Sequence, residues 1–284
     1  MMRSKLFVPG SRPEFFEKAM RSAADALTFD LEDAVAPAQK PAARRAIGDF
    51  LASLNRGGDK VMIVRSNGVD HPQFAEDVDA VMCTSLDYIS LPKLESADEV
   101  RRAVQAIAAA ETRKGIDRRV GILATVESPK GLRLAYDITS ADPRVAALQV
   151  GLADLFAPLR IERHAAALGP VRFAIKMAAA EAGVPAYDTV WTDVADRAGY
   201  ERDARDALRW ASSARAAYTR HRSTSPTASL RRPRRRSPGR RRCWPPARCR
   251  RMSARALSRS TATWSMSHSS ARRAPRWSWP GGCD

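Results

Sequence analysis

GILATVESPKG, residues 121–131, and ALQVGLADL, residues 147–155, decide the fold. Each opens with an apolar run of strand length and closes on one carboxylate beside Gly, Ser or Pro: Glu127 in the first, Asp154 in the second. A buried strand that ends in an acid is what a parallel α/β barrel presents at its working face, where the C-terminal strand ends carry the chemistry. The same two acids read equally well as helix caps, because Asp and Glu are ordinary residues in a helix's first turn.

Outward from this pair, strand and helix signals alternate, the signature of βα units on a parallel sheet. Strand patterns stand at 5–8, 26–31, 61–64 and 88–91 before the pair and at 186–190 after it. Between them, Pro13 suits the first turn of a helix whose Phe16, Ala19, Met20 and Ala23 recur at helical spacing. Pro41 opens a helix to about residue 54, and another lies near 74–82. Ser96-Ala97-Asp98-Glu99 is a capping box that starts a helix to about 112. Gly169-Pro170 starts one to about 182, and 203–208 continue as helix. In the second strand, alternation puts Thr28, Asp30 and Glu32 on one face and Leu27, Phe29 and Leu31 on the other. These steps predict an α/β TIM (β/α)8 barrel, incomplete at about seven strands, since no eighth strand signal follows. An open barrel edge leaves backbone groups unpaired and predicts aggregation or weak folding.

The 284 residues carry a formal charge of +17, which is unevenly spread. Residues 210–284 hold 19 Arg and no Lys against one acid, while the preceding 209 residues hold 29 basic and 30 acidic side chains. The tail has no Ile, Val or Phe and fourteen Ser, so it cannot build a core. Two segments follow: a (β/α) barrel domain over 1–209 and an aberrant low-complexity, disordered basic tail over 210–284. Three of the four cysteines lie in that tail, leaving Cys83 alone in the folded part. That argues against a disulfide framework and for a reducing compartment. With no run of transmembrane length and no signal-peptide core, a cytoplasmic protein without a membrane partner is expected. P-loop, GxGxxG, HExxH and GxSxG patterns are absent, so nucleotide-cradling and serine-hydrolase chemistry have no support.

If the steps close into a barrel, Asp30, Glu32, Asp33, Arg65, Asn67, Lys93, Glu127 and Asp154 converge at one mouth. Two carboxylates with room for waters and substrate oxygens suit magnesium, which prefers an oxygen octahedron only partly supplied by protein. An Arg beside them can grip a carboxylate bidentately. The set suits a metal-bound keto or hydroxy acid. Against this, Asp30, Glu32 and Arg65 also read as a structural ion-pair network, and Lys93 as a solvated charge flanking a helix. His71, before Pro72 and without a ligand partner at suitable spacing, reads as surface.

KLFVPGSRPEFFEKA, DALTFDLEDAV followed by Lys40 and Arg44, VRSNG, LPK, ATVESPKGL and LQVGLADL occur in this order over residues 4–209. In series they resemble the citrate lyase beta subunit family, the CitE-like or HpcH/HpaI aldolase group that includes malyl-CoA and citramalyl-CoA lyases. The resemblance implies a magnesium-dependent (β/α)8 lyase, with manganese as a substitute, that makes or breaks a carbon–carbon bond between an acyl-CoA and a 2-keto acid. A CoA-thioester hydrolase of the same family, an inactive scaffold and a polyanion binder remain alternatives. The resemblance further implies a homotrimer or hexamer. By the same resemblance Glu127 and Asp154 hold the metal, Arg65 clamps the substrate carboxylate, and Glu32 and Asp33 orient Arg65 and metal waters. Asn67 and Lys93 join the substrate-binding set, and Arg12 and Lys18 lie near the CoA phosphates. Ser66 stands where the family usually has an aliphatic residue.

Family members continue with a Gly-Phe-x-Gly-Lys-x-x-Ile-His-Pro stretch and later an Asp-Gly-x-Met-Val-Asp-x-Pro lid that brings a catalytic acid to the neighbouring subunit. Neither stands in 210–284. Back-translated one frame over, residues 210–220 allow G-F-V-G-K-G-C-V-H-P and residues 261–268 allow G-D-M-V-D-V-P. A frameshift near 208–210 is therefore expected. The Arg cluster at 231–242 would attract any polyanion through counterion release, without implying a specific nucleic acid.

Overall fold

The computed structural model describes residues 2–54, 60–191, 195–209 and 214–218. Eight parallel strands close into a barrel in sequence order: β1 (Ser4–Pro9), β2 (Ala26–Asp30), β3 (Val61–Arg65), β4 (Tyr88–Leu91), β5 (Gly121–Val126), β6 (Val145–Val150), β7 (Ala186–Trp191) and β8 (Ala214–Tyr218). Helices separate them: α1 (Phe16–Met20), α2 (Lys40–Ser53), α3 (Phe74–Val81), α4 (Ala97–Lys114), α5 (Pro129–Arg133), α6 (Ala135–Ser140), α7 (Leu152–Phe156), α8 (Ala165–Glu181) and α9 (Arg197–Arg209). No described helix is long and apolar enough to cross a membrane.

Strand alternation sorts the side chains into two cores. Leu6, Val8, Leu27, Phe29, Val64, Ile89, Ile122, Leu148 and Val150 point outward and bury against the helices. There Phe16, Phe29 and Phe50 form an edge-packed aromatic trio with centroids 4.9–5.5 Å apart. The inward set, Ala26, Ile63, Leu123, Ala147 and Tyr187 with Met2 beneath, fills the base of the barrel. Above it the inward positions turn polar, with Lys5, Thr28, Ser90, Thr125 and Gln149 all buried. The barrel is thus dry and apolar at its base and increasingly ionic toward the C-terminal strand ends, which is where loop-borne chemistry sits in this architecture.

Seven strands lie within residues 1–209, as expected, and an eighth beyond them closes the ring. Residues 214–218 pair in parallel with β1, Ser4 opposite Arg215 through Phe7 opposite Tyr218, and with β7, Trp191 opposite Ala217. The segment ARAAY has no strand signature of its own. Two flanking edges supply both ladders of hydrogen bonds, and that context overrides weak β-propensity. The strand lies past residue 209, where the sequence places the end of the barrel. Residues 210–213 and 219–284 of the expected disordered tail lie outside the described residues.

The start of α4 holds. Ser96 caps α4 by accepting from Glu99 N at 3.2 Å, while Glu99 Oε2 accepts from Glu95 N at 2.9 Å. Helix α8 begins at Ala165 rather than at Gly169-Pro170, and Pro170 lies inside it. Proline's φ is helical, so the ring is tolerated there at the loss of one backbone hydrogen bond.

Candidate functional site

The mouth is organised by Asp30, the last residue of β2. Its carboxylate receives Arg65 in fork geometry, Nε to Oδ1 at 2.7 Å and Nη2 to Oδ2 at 2.5 Å. It also accepts from Glu32 N at 3.0 Å and Ala34 N at 3.2 Å, so one buried acid fixes both the following turn and the guanidinium. Arg65 Nη1 lies 2.7 Å from Glu32 Oε2 and 3.6 Å from Asp33 Oδ2. The Glu32 contact is ionic only, because Oε2 accepts no aligned hydrogen bond. The opposite side of the guanidinium faces the Phe7 ring at 5.4 Å. The structural ion-pair reading of Asp30, Glu32 and Arg65 is therefore realised, and Arg65 still lines the pocket beside Glu127 and Asp154.

Glu127 follows β5 directly. Ser128, not Glu127, caps α5, accepting from Gly131 N at 3.1 Å. Glu127 is thus free to turn inward, where it is 6% exposed and its Oε2 has no hydrogen-bond partner among the described residues. Burial, then repulsion from Glu32 and Asp154 against the pull of Arg65, pushes its carboxyl up to about 8. Gly151, at the end of β6, makes room for it: a Cβ there would meet Glu127 Cγ and Oε1 at 2.5 Å. Asp154 sits exposed in the first turn of α7 and makes no hydrogen bond or ion pair among the described residues.

Among the described residues no group of three or more His, Cys, Asp and Glu is arranged to hold a metal. A pair of carboxylates is nonetheless what a magnesium ion that keeps several waters requires. The orphaned buried oxygen of Glu127, too costly to leave bare when ionised, and the unpaired Asp154 on the same wall fit such a cation.

Lys93, in a left-handed conformation with φ 53°, bridges Glu32 at 2.8 Å and Asp33 at 3.2 Å. Burial would lower its ammonium, but these two carboxylates hold it above its ordinary range. Burial pushes Glu32 up against Arg65 and Lys93, whereas the same cations outweigh burial at Asp33 and hold it low. Lys93 is thus neither a free helix-flanking charge nor a pocket wall. Asn67 is turned away as well: its Nδ2 donates to Asp77 at 2.5 Å and its Oδ1 accepts from Lys40 Nζ at 2.6 Å. Lys40 also donates to the carbonyls of Leu31 and Glu32, pinning the turn that carries Glu32. Arg12 and Lys18 are exposed, with Arg12 paired to Glu14 at 2.6 Å and stacked near Phe15, and neither lines the pocket.

The motif reading missed Phe7, Ser90, Thr125, Gln149 and Thr189, which line the pocket, and the fully buried Lys5 beneath them. The available signal was a polar residue on the inward face of a strand otherwise apolar, Lys5 in KLFV and Gln149 in ALQV.

The HpcH/HpaI aldolase/citrate lyase family model matches residues 3–218. The citrate lyase subunit beta of Leuconostoc mesenteroides subsp. cremoris is 33% identical over 208 residues, 72% of this chain and 68% of that protein. The L-malyl-CoA/beta-methylmalyl-CoA lyase of Rhodobacter capsulatus is 38% identical over 160 residues, 55% of this chain and 50% of that protein, so the chain spans half the length of this relative. A crystal structure of CitE from Mycobacterium tuberculosis in complex with magnesium, acetoacetate and coenzyme A is similar with a TM-score of 0.63 and 33% identity, covering 77% of this chain and 76% of that one.

Proposed function

The chain belongs to the HpcH/HpaI aldolase/citrate lyase family, and from that premise we propose that it is a magnesium-dependent carbon–carbon lyase of a 3-hydroxyacyl-CoA ester. The observation that carries this reading is Glu127 Oε2, buried and unpartnered on a pocket wall it shares with Asp154. Glu127 and Asp154 would hold the ion, which supplies polarisation of the oxygen on the reacting carbon. In the cleavage direction the bond between the alcohol carbon and the α-carbon of the thioester breaks. The hydroxyl proton leaves, the α-carbon gains one, and an acyl-CoA and a 2-keto acid result.

The chain's own residues would do the rest of the binding. Arg65, held flat by Asp30 and Phe7, presents positive charge to an anionic keto acid from a fixed position. Asp30 and Glu32 keep it from swinging, and Lys93 pairs with Glu32, opposing in part the burial that pushes that carboxyl up. Lys40 holds the turn behind them. Arg12 and Lys18, exposed after β1, are our candidates for the CoA phosphates, and Lys93 and Asn67 act by placing Glu32 and the β3 end. None of these side chains is positioned as the acid or base at the α-carbon. We place that group in the lid segment, and infer that residues from about 210 onward are read one base out of frame.

Purified protein whose reading frame has been repaired near residue 210, given magnesium and malyl-CoA or citramalyl-CoA, tests the reading. Cleavage to the keto acid that disappears in Glu127→Ala and on chelation of magnesium is the expected result. A well-folded, frame-repaired protein that turns over neither ester overturns it.

A further inference from the structure

Lys5 is 1% exposed inside the barrel, and among the described residues no carboxylate pairs with its ammonium. Its Nζ donates to Gln149 Oε1 across the barrel and lies 5.4 Å from the Phe7 ring and 5.8 Å from the Tyr187 ring. Burial, helped by Arg65, brings it down to about 7. A lysine so placed is costly to bury, and packing alone would be served as well by Met or Leu. Gln149 is itself buried, 4% exposed, yet lines the pocket with Glu127 and Asp154.

An amide side chain can be turned either way, and its partners decide which end faces where. In its charged form Lys5 only donates, so it selects the carbonyl oxygen, the end of the amide that its Nζ contacts. The planar amide then turns its NH2 away from Lys5. We propose that Lys5 is a positioning residue that locks the Gln149 amide so that its NH2 serves as a hydrogen-bond donor to a carboxylate or carbonyl oxygen of the 2-keto acid. This deepens the lyase reading above and rests on it. Phe7 and Tyr187 pack around the ammonium, and among the described residues Gln149 is its hydrogen-bond acceptor. Arg65 attracts the anion from one side of the mouth, and Gln149 gives it a fixed, directional partner from β6.

Calorimetric titration of the full chain with pyruvate in saturating magnesium tests the pair. Lys5→Met and Gln149→Met are each expected to weaken pyruvate about tenfold, the effect of one lost hydrogen bond to a charged group. The double variant should be no weaker than either single, because the two residues act as one unit. Gln149→Glu covers the case in which Lys5→Met does not fold. The carboxylate still pairs with Lys5 but offers the pocket no donor, so it should bind pyruvate at least as poorly as Gln149→Met. Wild-type affinity in Gln149→Glu, or additive losses in the double variant, overturns the proposal. If wild-type protein shows no magnesium-dependent pyruvate binding, and Glu127→Gln changes nothing, the failure lies in the lyase reading.

Discussion

Glu127 couples the site to proton concentration, and the sign follows from its environment. In the unfolded chain it titrates in the ordinary glutamate range, and in the metal-free fold only near 8. Between those values the folded protein keeps a proton that the unfolded chain has released, so stability falls as pH rises and levels off above about 8. The metal-free protein should therefore lose thermal midpoint between pH 5 and pH 8, at a cost on the order of a few kcal/mol. Glu127→Gln should flatten that slope, and melting curves across this window check it. Gly151 gives a second test at this scale. Gly151→Ala places a methyl 2.5 Å from the Glu127 carboxylate, whose flexible end can move, so the fold should survive with little change in melting temperature. The displaced carboxylate should weaken magnesium by tenfold or more, read by calorimetry; unchanged affinity would show that Glu127 does not ligate. Glu127 and Asp154 were legible because strand-end acids stand out against apolar runs. The orientation of Asn67 and Lys93 was not, since both answer to partners 10 and 61 positions away in sequence, Asp77 and Glu32.

The elements are held by buried ion pairs at the barrel end opposite the mouth. Glu111 on α4 takes Arg144, just before β6, in a bidentate pair with both contacts at 2.7 Å, and also accepts from Val120 N at 2.6 Å. Arg144 holds Glu111 below the usual carboxylate range, against burial, which works upward. Arg144→Met should cost roughly 3 kcal/mol in urea unfolding, because Glu111 would remain as a buried, unmatched charge. Magnesium and pyruvate affinities should stay as in the wild type, since the change lies far from the strand ends that form the pocket. Ser96→Ala, which removes the α4 cap, should cost about 1 kcal/mol with equally silent binding. Helix α4 was legible, to about 112 against an observed end at Lys114, because its capping box is a local signal. The start of α8 was not, because Gly169-Pro170 reads locally as a helix start while the helix begins four residues earlier, at Ala165.

Closure of the barrel is a property of the whole molecule. β8 covers the exposed edges of β1 and β7, so deleting residues 210–284 should leave two unpaired edges and an aggregating protein by light scattering. Deleting only 235–284 removes the second of the two units into which the chain divides and keeps β8. That shorter chain should stay dispersed and lose most of its retention on heparin, since it loses 13 of the 19 arginines that follow residue 209. The frame inference is tested at the nucleic-acid level: a one-base correction near codons 208–210 should restore both family motifs, and the repaired protein should gain turnover that the unrepaired protein lacks. Correct coding DNA without such a shift would remove the lid from the account.

By itself the sequence determined the order of the first seven strands, the facing of β2 and the two acids that follow β5 and β6. Those features are local: alternation of polar and apolar residues, caps and turns act within a few positions. Only the tertiary structure decided that ARAAY completes the ring, that Arg65 is gripped by Asp30 before any substrate arrives, and that Lys5 ends its buried chain on Gln149. Each of these is a contact between residues distant in sequence. Its energy comes from the desolvated interior that barrel closure creates, which no single stretch of the chain can express.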